Sequence, residues 1–127
     1  MSASFALRSA CVPFALSRLF GETYDAMCWR IKAAGGEYQA VTCDVLHRVL
    51  APLGMISARS FAKRPLFNRW RPQQGRWVAI VVGWGSLSAH CITLQQGVAR
   101  DNGWACEWDA RLATLRVLAA WQLQEAA

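Results

Sequence analysis

The sequence lacks an apolar run that approaches the roughly 20 residues needed to cross a bilayer. Its longest apolar stretch, residues 78–82, is closed by Gly83. It also lacks a credible secretory signal and any C-x-x-C pair, and its cysteine count of five is odd. We therefore expect a reduced, cytoplasmic protein without membrane contact, while secretion as an effector stays an open alternative. The cysteines are Cys11, Cys28, Cys43, Cys91 and Cys106.

Motifs for phosphate and metal binding are also missing. No glycine-rich segment has phosphate-loop spacing, and the sequence GWG at residues 83–85 is better explained as a turn. Cys43 and His47 lie four residues apart on a helical pattern and could supply two zinc ligands, with Cys28 or Cys106 as remote partners. No second paired motif completes such a site, so we predict that the protein holds neither a metal nor another cofactor.

Apolar, aromatic and basic residues, by contrast, are abundant. A chain of 127 residues that is 54% hydrophobic has the size and composition of one globular domain. Seven Trp and five Phe side chains must fill its core or a binding surface. The formal net charge is +6, and basic residues are concentrated in residues 59–76, with aromatic residues interleaved. This pattern suits a solvated loop or a contact surface for nucleic acid or an acidic protein.

Apolar residues recur at helical spacing in three N-terminal segments. Residues 9–20 form the first pattern, with a proline in the first turn. The second begins at Thr23 and stops at Gly35-Gly36, and the third begins at a plausible cap, Thr42, and runs towards Gly54. We therefore predict three helices in the first half of the chain.

The second half has the composition of strands. Residues 77–82 are rich in β-branched residues, and residues 89–94 follow as a second strand. Gln96-Gly97 is a turn signal that leads to a third strand at residues 98–100, and a last strand is expected at residues 104–108. Leucines at helical spacing in residues 109–124 predict a C-terminal helix. The predicted fold is α+β, with N-terminal helices packed on a small antiparallel sheet and a C-terminal helix.

One set of residues could carry covalent chemistry. The positive end of a helix lowers the pKa of a cysteine held there, and Cys11 lies at the start of the first helical pattern. A thiolate also needs a nearby imidazole, and the imidazole needs a group that orients it. His90, on its strand, and Asp101, beyond the next turn, are candidates for these roles. Cys91 points to the opposite strand face and is expected to be core.

These residues resemble the papain-like cysteine peptidase superfamily, especially its small phage and bacterial members. The resemblance covers about half the chain and rests on CVPFAL from Cys11, GRWVAI before the predicted strand turn, SAHCITL around His90 and GVARD up to Asp101. It implies a papain-like domain with Cys11 as nucleophile, His90 as base and Asp101 as the orienting group. The implied function is a hydrolase or acyltransferase that acts on a peptide, isopeptide or amide bond of a peptide or protein substrate.

A binding module is the alternative. The glutamine that commonly precedes the nucleophile in this superfamily is missing, so Ser9 is a candidate for the oxyanion role. Asn102 is a second candidate for orienting the histidine. If the site is weak or inactive, the scaffold would dock a protein partner or, with less support, nucleic acid through its basic and aromatic surface. The candidate contact residues are Arg64, Arg69, Trp70, Arg71 and Arg76.

Overall fold

Helices precede strands along the chain, as the sequence patterns predict. The computed structural model describes residues 11–37, 41–57, 64–82, 89–100 and 115–124. Within these ranges the fold is α+β, with five strands in one antiparallel sheet. The elements are α1 (Cys11–Phe20), α2 (Tyr24–Ala33), α3 (Cys43–Leu50), a 3-10 turn (Ala51–Leu53), β1 (Met55–Ser57), α4 (Phe67–Trp70), β2 (Arg76–Val82), β3 (Ala89–Gln95), β4 (Val98–Arg100) and β5 (Arg116–Leu123).

Side-chain caps begin the second and third helices where the sequence predicts them. The Thr23 hydroxyl accepts a hydrogen bond from the Ala26 N–H at 3.1 Å, and the Thr42 hydroxyl accepts one from the Val45 N–H at 3.3 Å. Each cap satisfies a backbone donor that the first helical turn leaves unpaired. The predicted helices over these two segments are therefore confirmed.

The sheet has the strand order β1-β5-β2-β3-β4. Strands β3 and β4 form the predicted hairpin, in which Gln95 pairs with Val98 across a two-residue turn. Gln96 has φ 51° and Gly97 has φ 81°, the left-handed pair of a turn that matches strand twist. The longest ladders join β2 to β3 on one edge and to β5 on the other.

Each sheet face carries its own apolar cluster, because side chains alternate along a strand. We call the cluster under α1, α2 and α3 the helix-side core. It includes Leu16, Ile31, Leu46, Val78, Ile80, Cys91 and Trp121. The outer core covers the other face and consists of Phe67, Ala79, Val81, Ile92, Leu94, Ala99, Val117 and Ala120.

The prediction of a C-terminal helix is wrong. Residues 116–123 form β5, which pairs with β1 on one edge and with β2 on the other. A strand here gives the backbone two ladders of hydrogen bonds and places side chains in both cores at once, which a helix beside the sheet would not do. The strand predicted at residues 104–108 and the start of the predicted helix lie outside the described residues.

Candidate functional site

Cys11 and His90 lie on neighbouring elements. Helix α1 begins at Cys11 and packs against β3, the strand that carries His90. Cys11 is the first described residue of α1, so its place in the first turn of that helix stays a prediction. Asp101, Ser9 and Asn102 lie outside the described residues, so the complete triad stays a prediction.

The strand register decides which way His90 faces. His90 pairs with Val81, and directly opposed residues of antiparallel strands place their side chains on the same face. Val81 belongs to the outer core, whereas Cys91 is fully buried in the helix-side core that α1 also lines. The prediction that Cys91 is a core residue is confirmed. By strand alternation His90 lies on the sheet face away from α1. A Cys11–His90 pair would need the His90 imidazole on the α1 side of the sheet.

The remaining described cysteines, Cys28 and Cys43, are free and half-buried. Burial raises the pKa of the Cys43 thiol, and the neighbouring Asp44 carboxylate raises it further. A raised pKa favours the protonated thiol, so Cys43 is a weak nucleophile at neutral pH.

His47 is engaged by a tryptophan and not by Cys43. Its Nδ1 accepts a hydrogen bond from the Trp121 indole N–H at 3.2 Å. A neutral imidazole with an accepting Nδ1 carries its proton on Nε2, so neither nitrogen offers a free lone pair to a metal. Among the described residues no group of three metal-ligating side chains occurs.

Arginines of the predicted contact surface divide into two sets. Arg64 and Arg69 are exposed, while Arg71 and Arg76 are half-buried. Nε and Nη2 of Arg71 both donate to the Gly97 carbonyl, the first at 2.9 Å, and its guanidinium lies 5.4 Å from the centre of the Phe67 ring. Arg71 thus links the basic segment to the β3–β4 hairpin through hydrogen bonds. These contacts give Arg71 a structural role, and its role as a contact residue stays a prediction.

Aromatic residues of this surface pack against each other. The rings of Phe67 and Trp70 meet edge to face at 6.0 Å, and those of Trp70 and Trp77 do so at 5.5 Å. The Trp77 indole N–H donates to the Gln74 carbonyl at 2.9 Å. This row of rings borders the outer core, so it first serves to hold α4 against the sheet.

The acidic residues have an uneven distribution that our sequence analysis missed. No Asp or Glu occurs between Asp44 and Asp101, and this interval includes the whole predicted contact surface. The other acidic residues of the described ranges are Glu22, Asp25 and Glu37, all in or beside the helices. Glu22 forms an ion pair with Arg30 at 3.1 Å. The lack of Asp and Glu along this stretch of sequence is itself a sign of a positive surface.

No helix in the described ranges is both long and apolar enough to span a membrane. Neither a protein-family model, nor a curated protein, nor a solved structure matches this chain.

Proposed function

We propose that this chain is a docking module that binds an acidic protein surface through the basic segment around α4. The observation that carries the proposal is the exposure of Arg64 and Arg69 on an ordered scaffold within an interval free of acidic residues. Side-chain guanidinium groups pair with carboxylates through two parallel hydrogen bonds, which gives orientation as well as attraction.

Backbone contacts hold this scaffold to the sheet. The Phe67 N–H donates to the Leu115 carbonyl and the Val117 N–H donates to the Pro65 carbonyl, both at 2.9 Å. Arg116 donates from Nη1 to the Arg64 carbonyl at 2.9 Å. A surface that is fixed before binding loses little conformational entropy when a partner docks.

An acidic protein fits this surface better than a nucleic acid does. Single-stranded nucleic acid is held by bases that stack on aromatic faces beside a basic groove. Here Trp70 packs edge to face with both Phe67 and Trp77, so the rings are occupied with each other. The groups most available to a partner are therefore guanidinium groups.

Charge reversal of the two exposed arginines tests the proposal. The variant Arg64→Glu with Arg69→Glu should bind fluorescent poly-L-glutamate at least about tenfold more weakly than the wild type, because two attractive charges become repulsive. The control is Arg18→Glu with Lys32→Glu, which changes the net charge equally at exposed sites on α1 and α2. It should weaken binding less than about threefold. Fluorescence anisotropy at several salt concentrations gives the affinities.

Equal weakening by the two double variants would show that net charge alone attracts the polymer, and the docking surface would then be rejected. Tighter binding of a single-stranded oligonucleotide than of poly-L-glutamate at matched salt, lost in the Arg64 and Arg69 variant, would assign the same surface to nucleic acid instead.

A cysteine hydrolase on a papain-like domain is the second candidate. It is favoured by the packing of α1, whose described residues start at Cys11, on the strand that carries His90. The strand register places His90 on the sheet face away from α1, so the mechanism requires the imidazole to reach the α1 side. In this mechanism the Cys11 Sγ attacks the carbonyl carbon while His90 accepts the thiol proton. His90 then returns the proton to the leaving amine, and the acyl-enzyme passes its acyl group to water or to another amine. Asp101 would hold the imidazole.

Thiol labelling tests this second candidate without knowledge of the substrate. At pH 6, limiting iodoacetamide should modify Cys11 at least about tenfold faster than the half-buried Cys28, because only a thiolate paired with an imidazolium is reactive there. The preference should disappear in His90→Ala. Mass spectrometry of the peptides gives the rates, with the buried Cys91 as an internal slow reference. Equal rates at Cys11 and Cys28 would exclude the activated thiol.

A further inference from the structure

A groove lined by glutamine side chains crosses the end of the sheet where β1 and β5 meet the loop before β2. Its volume is about 630 Å³, which lies within the range of sites that hold small ligands. The lining includes four of the chain's seven glutamines, together with Ile56 and Leu123. These four are Gln74, Gln96, Gln122 and Gln124. None of the described residues that line the groove carries a charge, in contrast to the arginine surface.

Gln96 is held in the groove in a strained conformation. Its φ of 51° lies in the left-handed region, where this position of a two-residue hairpin turn favours Asn, Asp or Gly. The Gln96 N–H donates to the Gly75 carbonyl at 3.1 Å and ties the turn to the loop before β2. Backbone strain of this kind concentrates at functional sites. The choice of glutamine here points to a role for its side chain.

Other groove glutamines are also fixed by their backbone. Gln122 lies opposite Ile56 on one edge of β5 and opposite Trp77 on the other. The Gln124 N–H donates to the Gly54 carbonyl at 3.0 Å. The backbone therefore fixes where these side chains start, so only their side-chain torsions have to be ordered when a ligand binds.

Gly75 makes room for one of these amides. A Cβ built on Gly75 would lie only 3.2 Å from the Gln122 side-chain nitrogen. With φ at 83°, Gly75 also adopts a backbone conformation that other residues rarely tolerate. A side chain at this position would therefore press on the Gln122 amide, which glycine leaves free to approach the backbone.

We propose that this groove binds a neutral oligosaccharide. Each glutamine amide presents an acceptor oxygen and a donor nitrogen on the same carbon. Neighbouring sugar hydroxyls donate and accept in the same way, so one amide can bind two of them at once. Ile56, which is exposed, supplies an apolar surface for the C–H face of a sugar ring, as does Leu123. The described lining residues carry no charge, which favours an uncharged ligand, because a charged one would be desolvated without a partner among them.

Titration calorimetry of the full chain with maltotriose, cellotriose and chitotriose tests the proposal. At least one trisaccharide should bind with a Kd in the millimolar range or below, and added salt should not change this affinity because no ion pair forms. Gln74→Ala with Gln122→Ala should weaken binding at least about tenfold through the loss of two bidentate contacts. The matched control is Gln95→Ala, an exposed glutamine of β3 outside the groove, which should stay within about twofold of the wild type.

Two results would overturn the proposal. One is the absence of binding by all three sugars up to about 10 mM. The other is sugar binding that survives in the double variant. In the first case, binding of a neutral Ala-Gly hexapeptide would assign the groove to an extended peptide backbone. Circular dichroism verifies that each variant is folded, and Gln124→Ala, at an exposed site just after β5, serves as a second groove variant if the double variant does not fold.

Discussion

Replacing Phe67 with alanine is expected to lower the free energy of unfolding by about 3–5 kcal/mol. Phe67 is 0% exposed and belongs to the outer core. Its removal leaves a cavity between α4 and the sheet, and it also deletes the ring that meets Trp70 and underlies Arg71. Urea unfolding followed by far-ultraviolet circular dichroism measures the change.

Phe14→Ala is the matched control for this substitution. Phe14 is 37% exposed on α1, where the Arg18 guanidinium lies 5.1 Å from the ring centre. The same atoms are deleted from a site that water already reaches, so the loss should be about 1 kcal/mol or less. Equal losses for the two variants would mean that Phe67 does not anchor α4.

Loss of the Phe67 side chain should also weaken binding to an acidic partner. Arg69 lies in α4, and α4 begins at Phe67. A loosened α4 would have to be ordered again when a partner binds, and this entropy cost lowers affinity without the loss of any partner contact. Poly-L-glutamate binding by Phe67→Ala, measured where the variant is still folded, should therefore be weaker than binding by Phe14→Ala.

Local signals were sufficient to predict the three N-terminal helices and the β3–β4 hairpin at the edge of the sheet, whereas the short helix α4 was not predicted. Thr23 and Thr42 cap helices because their hydroxyls satisfy nearby N–H groups, and such contacts depend only on residues close in sequence. The turn at Gln96-Gly97 was predictable for a related reason, since glycine at positive φ permits the tight reversal.

Strand β5 could not be recognised from local signals. A register shift between Ile80 and Val81 places an irregularity in the β2–β5 ladder, so the buried residues of β5 do not alternate strictly. The segment also contains many alanines and leucines, which favour helix in isolation. Pairing with β1 and β2 overrides that preference, and both partners are distant in sequence. Strand β1 was missed for the same reason, because its described ladder is made with β5.

The sequence predicted which elements carry the candidate site residues, but not on which face of the sheet a side chain lies. The sequence places Cys11 in the first helix and His90 on a strand, as observed. Which face His90 occupies depends on the register with Val81, and a sequence alone does not fix that register. The groove was not predicted at all, because its glutamines come from separate segments that only the sheet brings together.

Trp121→Ala is expected to lower the free energy of unfolding by about 3–5 kcal/mol, as Phe67→Ala is. Trp121 is 3% exposed in the helix-side core and pairs with Val78 of β2 and Ser57 of β1. Its deletion removes a large apolar surface at the junction of three strands and α3. Trp29→Ala is the control, because Trp29 is 70% exposed on α2 and should contribute about 1 kcal/mol or less.

The hydrogen bond donated by the Trp121 indole N–H makes its own contribution to the free energy of unfolding, and a double-mutant cycle can isolate that contribution. This hydrogen bond to Nδ1 of His47 links β5 to α3, and His47 is exposed while Trp121 is not. Trp121→Phe removes the donor and His47→Ala removes the acceptor, so the cycle should give a coupling energy of about 0.5–1.5 kcal/mol. A coupling near zero would mean that water replaces His47 at no cost, and the stability of this junction would then come from the burial of the ring alone.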